Sequence, residues 1–439
     1  MAKTFRSWEV DQVWLLPPSV QQLVPAGHVA HFLRDLVREQ LDLSAILDTY
    51  DEERGYPPYH PVMMTGLLLY AYSQGVYSSR RIARCCQERV DFMAVTAMQQ
   101  PDFRTISGFR QRHLQALGEL FGQVLGLCKR AGLVKLGHVA LDGTKIHANA
   151  SKHKAMSYGR MQQAERQLSQ EVSRWLQQAE MEDQQEDGRL GVDRRGDELP
   201  DWVADKQKRL EKIRQAKAEL EREAQAQAPP PPEKPPGTPR GRPRKHPAGV
   251  PKAAAQRNFT DPDSRIMKTP SGFEQCYNAQ AGVDAASQVI VAQTLTSSAT
   301  DRNQLRPLLE QLPPKLRQQV REVSADCDYC SEDNLAFLER AKIRAYLATG
   351  KQQHGQAPPV KRRRVPQGPR TQKMRLRLRR AGYRSRYRLR KQTVEPVFGQ
   401  IKAGRGFRQF LLRGLDKVRL EWSLLCTAHN LLKLAVAEG

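Results

Sequence analysis

The segment VALDGTKIHANAS (residues 139–151) decides which fold is predicted for the second half of the chain. In this segment a short apolar run passes directly into Asp142 and Gly143. Two interpretations are open. Asp-Gly is a common tight-turn pair, whereas a carboxylate at the end of a strand can hold a metal ion at the edge of a sheet. The sequence on either side decides between them.

The composition predicts a polyanionic partner. The chain has 439 residues and a formal net charge of +24, which is too basic for an ordinary metabolic enzyme and typical of proteins that bind nucleic acid. The start of the chain lacks the architecture of a secretory signal, and the longest apolar run, around residues 66–72, is too short to span a bilayer. Seven scattered cysteines favour a reducing compartment. We therefore expect a soluble, intracellular protein that binds DNA or RNA, with no membrane partner.

Residues 1–135 are predicted to form an all-α N-terminal domain that binds DNA. Apolar residues recur at helical spacing in three segments, at residues 28–41, 61–74 and 113–132. Between the last two, a basic helix, a loop and a second helix fit a helix-turn-helix, which reads the major groove. The second helix is predicted to present Arg110, Arg112 and His113. A plain helical bundle with solvated arginines fits equally well.

Residues 136–151 and 258–439 are predicted to form an α/β domain with a mixed sheet. Strand-like runs rich in Val, Ile and Thr come first, and helices then alternate with strands. The predicted strands are KLGHVALDG (135–143), FEQCYNAQAGVD (273–284), QVIVAQTLTS (288–297), REVSAD (321–326) and RAYLAT (344–349). The predicted helices are at residues 301–313, 331–343, 391–402 and 415–436.

Residues 152–257 interrupt this domain and are predicted to be a helical or disordered insertion that is exposed rather than core-forming. Charged, Ala- and Gln-rich stretches favour an antiparallel helical hairpin, which a proline-rich spacer follows. Within the spacer, PRGRPRKHP (239–247) resembles an AT-hook, in which Arg240 and Arg242 would reach along the minor groove of A·T-rich DNA. A chance match in a basic linker is the alternative.

A second basic stretch runs from Lys361 to Lys391. About half of its residues are Lys or Arg and none is acidic, so the stretch repels itself unless a polyanion neutralises it. Tyr383 and Tyr387 lie among the arginines and could stack on bases. A solvated charge run is the usual alternative, but this one lies inside the chain, and we therefore expect it to contact phosphates.

Three acidic residues occupy the ends or starts of predicted elements. Asp142 ends the first strand, Asp326 ends REVSAD, and Glu395 lies at the start of a helix after the basic run. Phosphoryl transfer on DNA uses divalent ions with hard oxygen ligands, so these acids are candidate ligands. Each also has a plain alternative: a turn, a helix cap, or a charge favoured by the helix dipole. Asp328 is an alternative to Asp326.

Several long motifs occur in an order that identifies a family. They are residues 60–83 and 101–113, then VALDGTKIHANAS, TDPDSRIMK (260–268) with YNAQAGVD (277–284), SADCDYCSEDN (324–334) and VEPVFGQIKAGRGFRQFLLRG (394–414). Across nearly the whole chain the sequence resembles the DDE transposases of bacterial insertion sequences. It is similar in particular to the group numbered 1182, in the superfamily of the groups numbered 5 and 4.

This resemblance implies a ribonuclease H-like catalytic domain, with the insertion between its first and second strands. It makes Asp142, Asp326 and Glu395 the catalytic residues, which hold two Mg²⁺ ions, with Mn²⁺ as a substitute. The implied activity is metal-dependent DNA cleavage and strand transfer after binding of the terminal inverted repeats. The implied partners are double-stranded DNA, as element ends and as target, and a second copy of the chain in a homodimeric synaptic complex. A cytoplasmic, nucleoid-associated bacterial protein is expected.

The helix of Glu395 also resembles the Tyr-Arg-Glu-Lys signature of the family, with a departure. Lys402, two helical turns after Glu395, matches the lysine, which is implied to bind a phosphate. Lys391 stands at the arginine position, and Arg390 is one residue away from it. All three basic residues are DNA-binding candidates.

Two other functions stay open on the sequence. A non-catalytic DNA-binding relic needs only the basic segments, although it has no physical need for three acids at these places. A ribonuclease H-like nuclease without strand transfer would share the acids and would never join DNA ends.

Overall fold

The computed structural model describes residues 19–50, 57–190, 201–226, 228, 247–350, 368–381 and 386–438. The AT-hook-like motif with Arg240 and Arg242 lies outside the described residues, as do residues 361–367 of the basic run and Tyr383. The predictions for these positions therefore stay predictions.

The N-terminal region is helical, as predicted. Its central helix is buried along most of its length, and Pro61 begins it at the position where a missing N–H costs nothing. The helices are α1 (Val29–Glu39), α2 (Ser44–Leu47), α3 (Pro61–Ser73), α4 (Ser79–Glu88), α5 (Val90–Thr96), α6 (Phe103–Arg112) and α7 (Leu114–Arg130).

Two of the three side chains that the sequence predicted to be presented around helix α6 are buried. Arg110 is 6% exposed, and its guanidinium donates to the Tyr77 carbonyl at 3.0 Å and to the Ser79 hydroxyl at 3.3 Å. His113 is buried as well. The prediction that these two residues face DNA is wrong, because the long arginine side chain satisfies the backbone and hydroxyl groups of the α3–α4 corner instead. Arg112 is exposed.

The second region is built on a six-stranded mixed sheet. The strand order is β4-β5-β1-β7-β8, and β6 also pairs with β5. Strand β1 is antiparallel to β5 and parallel to β7, which is parallel to β8. The strands are β1 (His138–His147), β2 (Ala155–Ser157), β3 (Gln256–Asn258), β4 (Arg265–Thr269), β5 (Gly272–Asp284), β6 (Ile290–Thr296), β7 (Glu322–Ala325) and β8 (Arg344–Leu347), of which β2 and β3 form a separate pair.

Asp142 does not end the first strand. Strand β1 continues to His147 because every residue from Val139 onward pairs with β5, so Asp-Gly forms no turn here and the prediction of a strand end is wrong. The pairing of β1 with β7, by contrast, stops at Ala140. Within the described residues, Asp142 is therefore the second residue after the point where β1 loses its parallel neighbour.

The insertion contains the predicted antiparallel hairpin, formed by α8 (Tyr158–Leu190) and α9 (Asp201–Ala226). Ion pairs between the helices follow an antiparallel register, for example Glu165 with Lys217 at 2.9 Å and Glu171 with Lys206 at 2.7 Å. Contrary to expectation, the base of the hairpin has a small core of its own, which includes Met161.

Helices of the second region cover the sheet and connect it to the N-terminal helices. They are α10 (Leu305–Glu310), α11 (Pro314–Arg317), α12 (Glu332–Arg340), α13 (Pro369–Ala381), α14 (Leu389–Gly399) and α15 (Leu415–Glu438). Helix α15 is buried over most of its length. Its Ser423 hydroxyl donates to the Gly118 carbonyl of α7 at 2.7 Å, and its Asn430 amide exchanges two hydrogen bonds with the backbone of Ile290 in β6. One apolar core therefore runs through both regions.

Candidate active site

Two of the predicted acids lie at adjacent places in the sheet. Asp326 follows the last residue of β7, and its carboxylate accepts the backbone N–H of Asp328 at 2.9 Å, which closes a short turn. Asp142 lies just past the end of the β1–β7 pairing. Burial raises the pKa of Asp142, and the negative charge of Asp326 adds to this shift because like charges disfavour double ionisation.

The third predicted acid is connected to the first by an arginine. Arg390, at the start of α14, donates from Nη1 to the Asp142 carboxylate at 2.6 Å and from Nη2 to the Glu395 carboxylate at 3.1 Å. The Arg390 side chain is only 14% exposed. Arg390, one residue before the arginine position of the sequence motif, thus contacts both acids.

The electrostatics of the site favour cation binding. Burial raises the pKa of Asp142 to about 7, and Asp326 and Asp301 add to the shift while Arg390 opposes it. Burial also raises the pKa of Asp326. Carboxylates in such an environment are costly to ionise without a cation. Their oxygen-rich donor set is the one that Mg²⁺ and Mn²⁺ prefer, so the residues present fit these ions.

A further acid, Asp301, belongs to the same cluster and was missed in the sequence. Ligand oxygens of Asp301, Asp326 and Asp328 all lie within 4.8 Å of one another. Asp301 precedes helix α10, and an acid at this position in a sequence is explained by its favourable interaction with the helix dipole. Sequence spacing gives no sign that this loop lies against the other acids, because the contact depends on how β6 returns beside β5.

Gly143 leaves room for a polar network beside the acids. A Cβ at this position would lie 2.3 Å from the Gln280 amide nitrogen, 2.8 Å from Asp301 Oδ1 and 3.0 Å from Asn278 Oδ1. The space that glycine leaves is therefore filled by this polar network and does not admit DNA backbone or a metal ion. Tyr329 closes the network by donating its hydroxyl to Gln280 Oε1.

Lys402 contacts the strand that carries Asp142. Its ammonium group donates to the Thr144 hydroxyl at 2.9 Å and to the Lys145 carbonyl at 2.8 Å, and burial lowers its pKa. Lys402 therefore lies beside the candidate site, two residues along β1 from Asp142. Its contact with phosphate stays a prediction.

Part of the basic run forms a positively charged groove of about 260 Å³ between α12, β8 and α13. Glu339 pairs with Arg370 at 2.8 Å and with Lys373 at 3.8 Å, which leaves an excess of positive charge. The basic residues that line the groove are Lys342, Arg344, Arg370, Lys373 and Arg377.

Two segments of the chain match models of transposase domains. Residues 18–112 match a model described as "Transposase domain (DUF772)", and residues 248–431 match the "Transposase DDE domain". The chain thus carries two transposase domains of a mobile DNA element, the second of the DDE type. This second match contains Asp301, Asp326 and Glu395, while Asp142 precedes it. No curated protein and no solved structure matches the chain significantly. Within the part of the chain that the structure describes, no helix is both long and apolar enough to cross a membrane.

Proposed function

We propose that the protein is the transposase of a bacterial insertion sequence, which binds the terminal inverted repeats and catalyses metal-dependent DNA cleavage and strand transfer. The observation that carries this proposal is the meeting of Asp142 and Asp326 on neighbouring parallel strands, with Glu395 joined to Asp142 through Arg390. Residues far apart in sequence thereby form one acidic site, inside the class that the family matches define.

The proposed catalytic fold is ribonuclease H-like, within the insertion-sequence group numbered 1182. Support comes from the strand order, in which an antiparallel β6-β5-β1 half adjoins a parallel β1-β7-β8 half. The insertion falls between β1 and the next strands of the sheet, as the family resemblance implies.

In this proposal Asp142, Asp326 and Glu395 hold two Mg²⁺ ions. When bound, such ions activate the attacking oxygen and stabilise the leaving oxygen of an in-line displacement. The chain's own residues supply the geometry. Strands β1 and β7 fix the first two carboxylates, and the Arg390 guanidinium keeps Glu395 oriented toward Asp142.

DNA contact is assigned to the basic groups around this site. Lys402 lies beside Asp142, Lys391 and Arg112 are exposed, and the groove along α13 offers further cations for the phosphate backbone. Because two element ends must be brought together, we expect a homodimer in the synaptic complex, within the bacterial cytoplasm and associated with the nucleoid.

The first experiment is cleavage of a labelled duplex that carries the element's own terminus, in Mg²⁺ and in EDTA. The wild type is compared with Glu395→Gln, whose amide oxygen still accepts from Arg390. Specific cutting that needs Mg²⁺ and is lost in the variant supports the proposal. A wild type that binds DNA and never cuts, even with Mn²⁺ and both ends, shows a DNA-binding relic instead. Cutting without any joined product shows a nuclease.

A further inference from the structure

We propose, resting on the function proposed above, that the outer face of helix α6 reads base edges in the major groove of the terminal repeat. The outer face is defined as the four residues Arg104, Ser107, Gly108 and Gln111. Gln111 and Arg104 are its specificity-determining residues. Arg80 and Arg81, at the start of α4, contact the adjoining phosphates.

The first support is the division of α6 into a buried side and an outer face. The buried side consists of Ile106, Phe109 and Arg110. At about 3.6 residues per turn, the outer face lies on the opposite side of the helix. Three of its four residues are exposed, and Ser107 is partly exposed. Because α6 contains no acidic residue, the outer face offers only polar and basic groups to a partner.

The second support is a pair of arginines held against one exposed aromatic ring. The Arg80 guanidinium lies 5.0 Å from the centroid of the Phe103 ring, and that of Arg104 lies 5.7 Å from it. Phe103 is 36% exposed, and both arginines are exposed. Cation–π contact fixes the two guanidiniums at the surface and leaves their N–H groups to donate. Two like charges on one ring repel each other, so a polyanion that binds both is favoured.

The third support is that α4 and α6 are fixed relative to each other. The buried Arg110 guanidinium donates to the Tyr77 carbonyl at 3.0 Å and to the hydroxyl of Ser79, the first residue of α4, at 3.3 Å. Arg110 therefore positions the two helices instead of contacting DNA. A surface whose charges are fixed before binding loses less conformational freedom when DNA binds.

The charge of α4 is concentrated at its start. Arg84, one turn further on, pairs with Glu88 at 2.7 Å, whereas Arg80 and Arg81 are exposed beside the outer face of α6. This arrangement suits a helix that crosses the phosphate backbone while the next helix enters the groove.

The residue types of the outer face suit base edges. In the major groove, Gln makes two hydrogen bonds with the edge of adenine and Arg makes two with that of guanine. Gly108 lies between Arg104 and Gln111, and a Cβ there would meet nothing within 4 Å. Packing within the chain therefore does not require this glycine, which lowers helix stability. Its lack of a side chain lets DNA approach the helix closely.

Binding of the full-length protein to a labelled duplex that carries the element's terminus tests the proposal by fluorescence anisotropy. Gly108→Glu is the sharp variant, because its side chain enters open space in the free protein and places a negative charge against DNA. We expect the affinity to fall about 100-fold. Gly122→Glu in α7, where a Cβ also meets nothing within 4 Å, is the matched control and should bind like the wild type.

A shuffled duplex of the same length and composition separates base contacts from phosphate contacts. Gln111→Ala should lower the affinity for the terminus about 10- to 100-fold and leave the affinity for the shuffled duplex unchanged. Arg81→Ala should lower both affinities by the same factor and reduce the slope of log affinity against log salt concentration by about 1.

Three results overturn the proposal. The first is wild-type affinity for the terminus in Gly108→Glu, and the second is an equal loss on both duplexes in Gln111→Ala. The third is a Gly108→Glu protein that binds DNA normally and no longer self-associates, because the outer face is then an interface between copies of the chain.

The cleavage assay separates this proposal from the function on which it rests. A wild type that binds the terminus through α6 and never cuts DNA refutes the proposed catalysis while it supports the outer face. A wild type that cuts the terminus, with Gly108→Glu binding and cutting normally, refutes the outer face alone.

Discussion

The pKa values of acidic residues shift in opposite directions at the sheet and in the inserted hairpin. In the hairpin, Glu165 and Glu171 each meet lysine, and hydrogen bonds from Lys217 and Lys206 lower their pKa values. At the sheet, burial raises the pKa values of Asp142 and Asp326. The hairpin acids are paired with lysines, whereas Asp142, although Arg390 pairs with it at 2.6 Å, keeps a raised pKa, which is consistent with the proposed metal site. This difference distinguishes acids whose charge is paired with lysine from acids that are proposed to bind a metal ion.

The strongest test of the comparison removes one acid from each region. Asp142→Asn should lower the rate of DNA cleavage by about a thousandfold or more, since it removes a ligand used in the chemical step, and DNA binding should change little. Glu171→Gln should leave the cleavage rate unchanged. Gel-shift and cleavage assays on the same duplex provide the measurement. Parallel loss of binding and cutting in Asp142→Asn would contradict a catalytic role.

The two regions should also respond to pH with opposite sign. Because the pKa of Asp142 is raised from 3.8 to about 7, the folded protein holds a proton in this window that the unfolded chain releases. Stability from this group is therefore present at low pH and lost as pH rises from about 4 to 7, by up to about 1.4 kcal/mol per pH unit.

Urea denaturation in EDTA across this window measures the effect. The free energy of unfolding of the wild type should fall more steeply with pH than that of Asp142→Asn, by a few kcal/mol in total. Added Mg²⁺ should remove the difference in slope by stabilising the ionised carboxylate. Parallel curves in EDTA for the two proteins would show that Asp142 titrates normally.

The tight network behind the acids predicts a third effect. Gly143→Ala places a methyl group 2.3 Å from the Gln280 amide nitrogen, so we expect a loss of about 1–3 kcal/mol in the free energy of unfolding. Gly122→Ala in α7 is the matched control, because a Cβ there meets nothing within 4 Å and should stabilise the helix by about 0.5–1 kcal/mol. Equal changes in the free energy of unfolding for the two variants would mean that the network adjusts to the methyl group without loss of stability.

The smallest expected effect concerns the satisfied acids. The lowered pKa of Glu165 gives stability that is present above pH 4.5 and lost as pH falls through the lower folded value. Glu165→Gln should therefore lower stability at neutral pH by less than about 1 kcal/mol, because the pair is partly exposed. Thermal unfolding should show a larger difference between the two proteins at pH 7 than at pH 3.

Local sequence patterns predicted much of the structure and failed at identifiable places. The strand runs, the helical hairpin and the Ser331 cap of α12 follow from nearest-neighbour chemistry, which a sequence displays directly. The continuation of β1 past Asp142 depends on pairing with β5, and the burial of Arg110 depends on the α3–α4 corner. Asp301 joins the acids only through the return of β6. Such long-range contacts leave no periodic signal in the sequence.

The burial of α15 has a consequence for DNA. This helix is bonded through Ser423 to the N-terminal helices and through Asn430 to the sheet, so the two regions cannot turn independently without breaking a shared core. If the N-terminal helices bind a terminal repeat, the protein holds the recognised sequence at a fixed distance from the catalytic site. The number of base pairs between the recognised sequence and the cut bond is then set by the length of the protein between them, and lengthening the DNA by one or two base pairs at that interval should shift the cut by the same amount.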